Sequence, residues 1–336
     1  MSRVFIVLAT WEAPLALFDR QLASLSAQTL DDWSGVVVDD GSSEASRRGI
    51  ADRVAREPRL RFVPQRERVG FYRNFERGLA LAPARCDYVA LCDQDDRWAP
   101  AKLARQVSAL DARPDAQLCY SDLRLVDPAG TALAGSFWRA RPHGRSFREI
   151  LYNNVVTGAT ALLRRGLLDV ALPFPDDPGG AFHDHWLALC GMARGGLVYL
   201  DDPLVDYTQH AGNTLGAQGF DHAGRGALAR FLGDTLRAIV HPLEAARGLD
   251  GLASYAVAAD ARLRSFATGL STRFPRLPQP GRAALRPFLH RYRALRAFDL
   301  AGPTLLGTLA AGQETNLAPL KIPLGLAWAC VRGRGS

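Results

Sequence analysis

Short, continuous apolar runs alternate with amphipathic stretches through the first 100 residues. Residues 4–9 (Val4, Phe5, Ile6, Val7, Leu8, Ala9) have the length and β-branched content of a buried strand. Residues 14–28 place Leu15, Leu17, Phe18, Leu22 and Leu25 at helical spacing, after a proline suited to a first turn. Val36-Val37-Val38 forms a second buried strand and runs into Asp39-Asp40-Gly41-Ser42-Ser43; a helix to about Glu57 follows. Then come a strand at 60–63, a helix at about 71–81 and a strand at 87–92. Strands alternating with helices at this spacing predict an α/β fold with a mostly parallel sheet covered on both faces. No fixed-period repeat interrupts the pattern, and the Pro/Gly-rich stretches 173–180 and 274–281 read as loops.

Composition narrows this picture only a little. A chain of 336 residues suggests about two domains, and 48% hydrophobic content can fill a core. The five cysteines (Cys86, Cys92, Cys119, Cys190, Cys330) include no CxxC pair and leave one over in any disulfide scheme, so free thiols in a reducing compartment are expected. The opening apolar run breaks at Thr10-Trp11-Glu12 with no small-residue cleavage site after it, and is read as a first strand rather than a signal peptide. No stretch reaches the roughly 18 to 20 apolar residues that span a bilayer.

Charge is unevenly divided. Residues 221–336 carry 16 Lys and Arg against 7 Asp and Glu, a net +9, whereas residues 1–220 stand at −2. Within the basic part, Arg282, Arg286, Arg291, Arg293 and Arg296 interleave with Leu285, Phe288, Leu289, Tyr292, Leu295 and Phe298. This suits a basic amphipathic helix on an anionic membrane surface, or equally a packed helix with a solvated arginine face. The apolar stretch 322–331, followed by Arg332 and Arg334, is too short to span and is either interfacial or packed. No nucleic-acid motif accompanies the charge, so nucleic acid is not an expected partner.

The candidate chemistry lies at strand ends. Asp93-Gln94-Asp95-Asp96 puts three carboxylates in four residues directly after the strand at 87–92. Such crowding is costly unless a hard cation such as Mg²⁺ or Mn²⁺ neutralises it or water solvates it as an ordinary acidic turn. Asp39 and Asp40 end another strand, and in open α/β sheets ligands bind at the carboxyl ends. A carboxylate there suits ribose and base donors, and a cation at 93–96 suits a diphosphate. Neither GxGxxG nor GxxxxGK[ST] follows any strand, so a dinucleotide fingerprint and a P-loop are unsupported.

Three of these segments, residues 4–12, 36–43 and 91–96, resemble in order and spacing the successive signatures of the family 2 glycosyltransferases, which have the GT-A fold. Between them, the segment Arg68 to Leu79, with Gly70 ahead of Arg73-Asn74, resembles the family's glycine followed by Arg-Asn on a helix at the nucleotide pocket. The likeness covers about residues 1–215. It implies a GT-A catalytic domain over 1–215, with nucleotide-sugar binding in 1–100 and the acceptor side in 101–215, and a helical, basic region over 216–336.

The resemblance also implies roles. Thr10, Glu12 and Asp40 would line the nucleoside pocket with Asp39 in support, Arg73 and Asn74 beside it. Asp93 would reach the ribose or the metal, Asp95 would bind Mg²⁺ or Mn²⁺, and Asp96 would support the metal or touch the sugar. The segment Asn153 to Thr160 resembles the loop before the acceptor-facing strand, which makes Thr157 and Gly158 donor-sugar or acceptor candidates; each reads equally as a tight turn into a core strand. The family's position for the catalytic base is occupied by His183-Asp184-His185-Trp186, and Asp184 is the expected base, with His183 and His185 either orienting it or contacting substrate and Trp186 near substrate. Many relatives have Glu-Asp where this chain has His183-Asp184. Read without the family, Asp184 opens an apolar run and looks like a helix N-cap. In the segment Tyr207 to Thr214, His210 corresponds to a relative's metal or diphosphate ligand, with Gln209 and Asn213 as phosphate or sugar contacts. Together these two segments look most like bacterial rhamnosyltransferase-type members.

The expected activity is therefore inverting, metal-dependent transfer from a nucleotide-diphosphate sugar, dTDP-rhamnose being one candidate, to a hydroxyl of a bacterial surface glycan or lipid-linked precursor. The expected location is cytoplasmic, peripheral on the inner membrane face. Two other readings fit part of the sequence. A haloacid dehalogenase-type phosphatase also uses Asp-x-Asp after a strand, but Arg97-Trp98 follows here, and only Lys102 and Lys321 are available as its lysine. A non-catalytic nucleotide-sugar or glycan-binding protein is the other, against which stands the retention of both Asp95 and Asp184.

Overall fold

The computed structural model describes residues 2–137, 146–177, 180–210, 242–289 and 318–331. The first elements are β1 (Val4–Thr10), α1 (Leu15–Ser26), β2 (Trp33–Asp39), α2 (Glu44–Val54), β3 (Leu60–Pro64), α3 (Phe71–Ala80) and β4 (Tyr88–Cys92). They are followed by β5 (Arg97–Trp98), α4 (Lys102–Asp111), β6 (Leu118–Val126), β7 (Ala132–Ala134), α5 (Phe147–Tyr152), β8 (Ala161–Arg164), α6 (Leu168–Ala171), α7 (His183–Arg194) and β9 (Leu197–Thr208). Three helices complete the described chain: α8 (Pro242–Arg273), α9 (Gln279–Leu289) and α10 (Ala318–Val331).

The sheet order is β3-β2-β1-β4-β8-β6-β9-β5, with β7 paired to β6. The pairs among β3, β2, β1 and β4 are all parallel; β8 then pairs antiparallel to β4 and to β6, and β9 runs parallel to β6. Right-handed crossovers fix the faces of the helices. The chain steps from β1 to β2 to β3 in one direction, so α1 and α2 share a face, and the return from β3 to β4 puts α3 on the other. Side chains agree: Gln21 of α1 donates to Cys92 Sγ, while Gly78 of α3 lies against Val7 and Val38, which point the opposite way. The direction of winding reverses between β1 and β4, and a crevice opens at their carboxyl ends.

The core is set by the apolar runs. Val4, Ile6, Val7 and Leu8 of β1, Val36 to Val38 of β2 and Val89 to Cys92 of β4 are all inaccessible to solvent. On α1, Phe18, Leu22 and Leu25 face inward at helical spacing, and each full burial is worth about 1.5–3 kcal/mol. Within α3, the buried set is Tyr72, Asn74, Phe75, Gly78 and Leu79.

By compactness the chain divides into two units. The first comprises Met1–His143, Asn154–Phe174 and Phe182–Thr214 and holds the sheet. The second comprises Gly144–Asn153, Pro175–Ala181 and Leu215–Ser336, and its described elements are all helices. There α9 and α10 pack on α8, and α5 packs on α9 with Tyr152 and Phe288 rings 5.8 Å apart. Gly281, Ala284, Leu285 and Phe288 form the buried stripe of α9; Arg282 and Arg286 are exposed on the other side, and Leu289 is 48% exposed. The helix begins at Gln279, inside the stretch expected as loop, because Pro280 in a first turn costs no hydrogen bond. Arg291, Tyr292, Arg293, Leu295, Arg296 and Phe298 lie outside the described residues, as do Arg332 and Arg334. Among the described residues, no helix is long and apolar enough to cross a membrane.

Candidate active site

Five separate segments meet at one edge of the sheet because of strand direction. Thr10 to Glu12 and Asp39 to Ser43 leave the carboxyl ends of β1 and β2, and Asp93 to Asp96 leaves that of β4. Antiparallel pairing of β8 with β4, Ala90 opposite Leu162, brings the turn before β8, Gly158–Thr160, to the same edge, against β4. Strand β5 pairs antiparallel with β9, Arg97 opposite Asp206, and this carries the end of β9 to the acidic run. Thr208 N–H donates to Asp96 Oδ1 at 3.0 Å, and His210 Nε2 lies 2.8 Å from Asp95 Oδ2.

At the first two strand ends the side chains interlock. Buried Asp39 accepts from Ser42 N–H (3.0 Å), Ser42 Oγ (2.5 Å) and Thr10 Oγ1 (3.2 Å), which shapes the turn. Asp40 accepts from Val69 N–H (2.7 Å) and Gly70 N–H (2.9 Å) and holds the segment ahead of α3 against β2. Gly41 must be glycine: its φ is +70°, and a Cβ there would stand 2.7 Å from Arg68 N. Glu12 adopts a φ of +43°, unusual for a side-chain-bearing residue, and its carboxylate accepts from Ser43 N–H and Ser43 Oγ at the start of α2. Trp11, 42% exposed, carries the Arg68 guanidinium 3.5 Å over its ring. Gln94 pairs with the Trp11 main chain in both directions, accepting from its N–H and donating to its carbonyl. An aromatic directly after an apolar strand run was the available sequence signal for Trp11; its contacts with Arg68 and Gln94 are long-range and left none.

The acids differ sharply in environment. Asp96 is fully buried, and burial, then the charges of Asp95 and Asp93, hold its carboxyl well above the ordinary range. Its Oδ2 has no hydrogen-bond partner. Half-buried Asp93 is pushed up to about 7 by burial and by the charges of Asp95 and Asp184. Behind the run lies a fully buried amine: Lys102 Nζ sits 3.7 Å over the Trp98 ring and donates to Gln106 Oε1, and burial lowers it to about 7.

Asp184 occupies the first turn of α7, whose N-cap is Phe182, so it is not itself the cap that the bare sequence suggested. One oxygen accepts from Asn154 Nδ2 (2.8 Å) and His185 N–H (2.7 Å), the other from Gly158 N–H (3.0 Å). Burial raises its carboxyl to about 6 against those stabilising hydrogen bonds. His183 is buried, stacked on Phe75 at 3.8 Å with both ring nitrogens unpartnered, and burial drops it to about 3, so it is a neutral wall beneath Gly158.

Of the other expected residues, some are taken up by the core. Trp186 is fully buried and donates from Nε1 to Ala171 O; it packs the core instead of lining a surface. Asn74 is likewise buried, its Nδ2 donating to Val38 O. Arg73 donates to Glu76 and to Phe174 O. His185 is buried in α7; Thr157 is half-buried and caps the turn at Gly158; Gln209 is half-exposed, with its N–H on Val126 O. Asn213 lies outside the described residues.

Among the described residues no group of three His, Cys, Asp or Glu side chains is gathered for a metal ion. The Asp95 and His210 pair, with Asp93 near enough to feel the charge of Asp95, is a carboxylate and imidazole donor set that suits Mn²⁺ if substrate oxygens complete the sphere.

Residues 6–170 match the family model described as Glycosyl transferase family 2. An uncharacterised protein of Mycobacterium tuberculosis is 30% identical over 183 residues, which cover 52% of this chain and 50% of the relative. The succinoglycan biosynthesis protein ExoW of Rhizobium meliloti is 34% identical over 123 residues, 36% of this chain and 37% of that one. The chain spans about half the length of the first of these relatives and less of the second. Among solved structures, the mannosyltransferase PcManGT from Pyrobaculum calidifontis, in complex with GDP-Man and Mn²⁺, superposes with a TM-score of 0.52 at 18% identity, covering 99% of this chain and 87% of that one. That likeness shows the fold: it is GT-A.

Proposed function

We propose that this chain is a family 2 glycosyltransferase that moves a sugar from a nucleotide-diphosphate donor to an acceptor hydroxyl with inversion. The observation that carries this reading is the meeting of Asp93, Asp95 and His210 with Asp184 and Gly158 at one sheet edge, on residues spread across more than 110 positions. The family match over 6–170 and the GT-A fold support it.

In this reading Trp11, Glu12 and Asp40 form the nucleoside side of the crevice. Asp95 and His210 would hold Mn²⁺ or Mg²⁺, with Asp93 beside the metal or the ribose, and a cation bound there would supply charge stabilisation to the departing diphosphate. Asp184 takes the acceptor hydroxyl proton as the new bond to the anomeric carbon forms and the bond to the diphosphate breaks. Asn154, Gly158 and His185 hold Asp184 in place, and its raised carboxyl suits a base working near neutrality. One base is enough for inversion, because nucleotide and acceptor occupy opposite faces of the sugar.

The donor to test first is dTDP-rhamnose, on the likeness of the His183 to Trp186 and Gln209 to Asn213 segments to rhamnosyltransferase-type members. The acceptor is a bacterial surface glycan or its lipid-linked precursor, a reading supported by the similarity to a succinoglycan biosynthesis protein. The exposed arginines of α9 then hold the enzyme at the cytoplasmic membrane face. The test is release of nucleoside diphosphate from a panel of dTDP-, UDP- and GDP-sugars, with Mn²⁺ or Mg²⁺ and with EDTA.

A further inference from the structure

Asp95 and His210 come from two strand ends that are joined by little backbone. The pairing of β5 with β9 covers only Arg97 opposite Asp206 and Trp98 opposite Val205, and stops short of both candidate ligands. Past that point side chains continue the registration, Asp96 through Thr208 N–H and Arg20 through its guanidinium. Arg20, half-buried on α1, donates from Nη2 to Thr208 Oγ1 at 2.6 Å and to Asp95 O at 3.3 Å, and from Nη1 to Pro128 O at 3.2 Å. Thr208 is itself fully buried, and its N–H is held by Asp96. One guanidinium thus ties the acidic run, the end of β9 two residues before His210, and the turn between β6 and β7.

We infer that Arg20 is a positioning residue for the metal site, setting the distance between the Asp95 carboxylate and the His210 imidazole. The inference rests on the metal reading above, and adds to it a residue that belongs to none of the motifs. Shape is the reason arginine is needed. Three acceptors on three segments match the planar fork of a guanidinium, whereas a lysine ammonium gathers its donors at one point and cannot span them. Arg20 also places a positive charge beside crowded acids without occupying a ligand position, so the acids stay available to a cation. Partners that orient ligands from behind typically govern metal affinity by roughly 10- to 100-fold.

The test uses the full chain and Mn²⁺ with inorganic pyrophosphate as a stand-in for diphosphate oxygens, with free Mn²⁺ followed by electron paramagnetic resonance. Arg20→Lys keeps the charge and loses the fork, and is expected to weaken Mn²⁺ binding by roughly tenfold or more. Thr208→Val, which removes one acceptor and preserves shape, is expected to weaken it in the same direction and serves if the arginine variant does not fold. Arg3→Lys is the control: Arg3 clamps Asp87 and Asp111 at the opposite end of β1, so its loss lowers the unfolding midpoint without changing Mn²⁺ affinity. Wild-type affinity in folded Arg20→Lys and Thr208→Val overturns the clamp alone. Absence of Mn²⁺ binding by the wild type removes the metal site and the clamp with it.

Discussion

Asp184 shows how a residue's neighbours decide its chemistry. Three donors fix its two oxygens, and burial sets its carboxyl near 6, so it is ionised at pH 7 and loses its charge as pH falls through that value. As a base it must be ionised. Turnover is therefore expected to fall about tenfold per pH unit below about 6, and Asp184→Asn to lose roughly 10²- to 10⁴-fold while still binding donor. Turnover that holds constant as pH falls below about 6, or an Asp184→Asn variant with wild-type turnover, contradicts the assignment. The resemblance in sequence singled out Asp184 as a candidate but not its partners: Asn154 and Gly158 reach it only after β8 has paired with β4. Trp186 shows the opposite case, since the resemblance of the His183 to Trp186 segment suggested substrate contact, and helical rotation sends its ring into the core.

The elements of the parallel half were legible because their signals are local. Apolar runs of strand length, and leucines and phenylalanines at helical spacing, gave β1 to β4 and α1 to α3 within a few residues of their observed ends. The antiparallel turn at β8 and the short β5 paired to β9 are decided by long-range pairing, which no local period encodes. Close packing within this half gives a direct test. A Cβ added at Gly78 of α3 would stand 2.3 Å from Val7 Cγ1 and 3.0 Å from Val38 Cγ2, both in stiff β-branched side chains. Gly78→Ala is thus expected to push α3 off the sheet and cost about 1–3 kcal/mol in urea unfolding, despite alanine's better helix propensity. A neutral or stabilising result would contradict close contact between α3 and the sheet at this position.

At the scale of the molecule, the negative N-terminal part carries the crevice and the basic C-terminal part carries exposed arginines. On α9 the buried stripe faces its helical neighbours, which leaves Arg282, Arg286 and Leu289 outward. Sedimentation with anionic phosphatidylglycerol vesicles, and not with zwitterionic phosphatidylcholine vesicles, is expected, weakening with salt. Each arginine near such a surface is worth about 1 kcal/mol, so Arg282→Glu with Arg286→Glu should reduce binding by at least about tenfold. Vesicle binding unaffected by both changes would place the contact elsewhere. The membrane contact is a separate question from the chemistry, which one experiment addresses most directly: following nucleoside diphosphate release by the purified chain from dTDP-, UDP- and GDP-sugars, with Mn²⁺ or Mg²⁺ and with EDTA. Slow release from one donor, abolished by EDTA and suppressed by Asp184→Asn, is the predicted result. Binding of a donor with no metal- or Asp184-dependent turnover, even with glycan acceptors supplied, would contradict it and make the chain a nucleotide-sugar-binding protein on a GT-A fold.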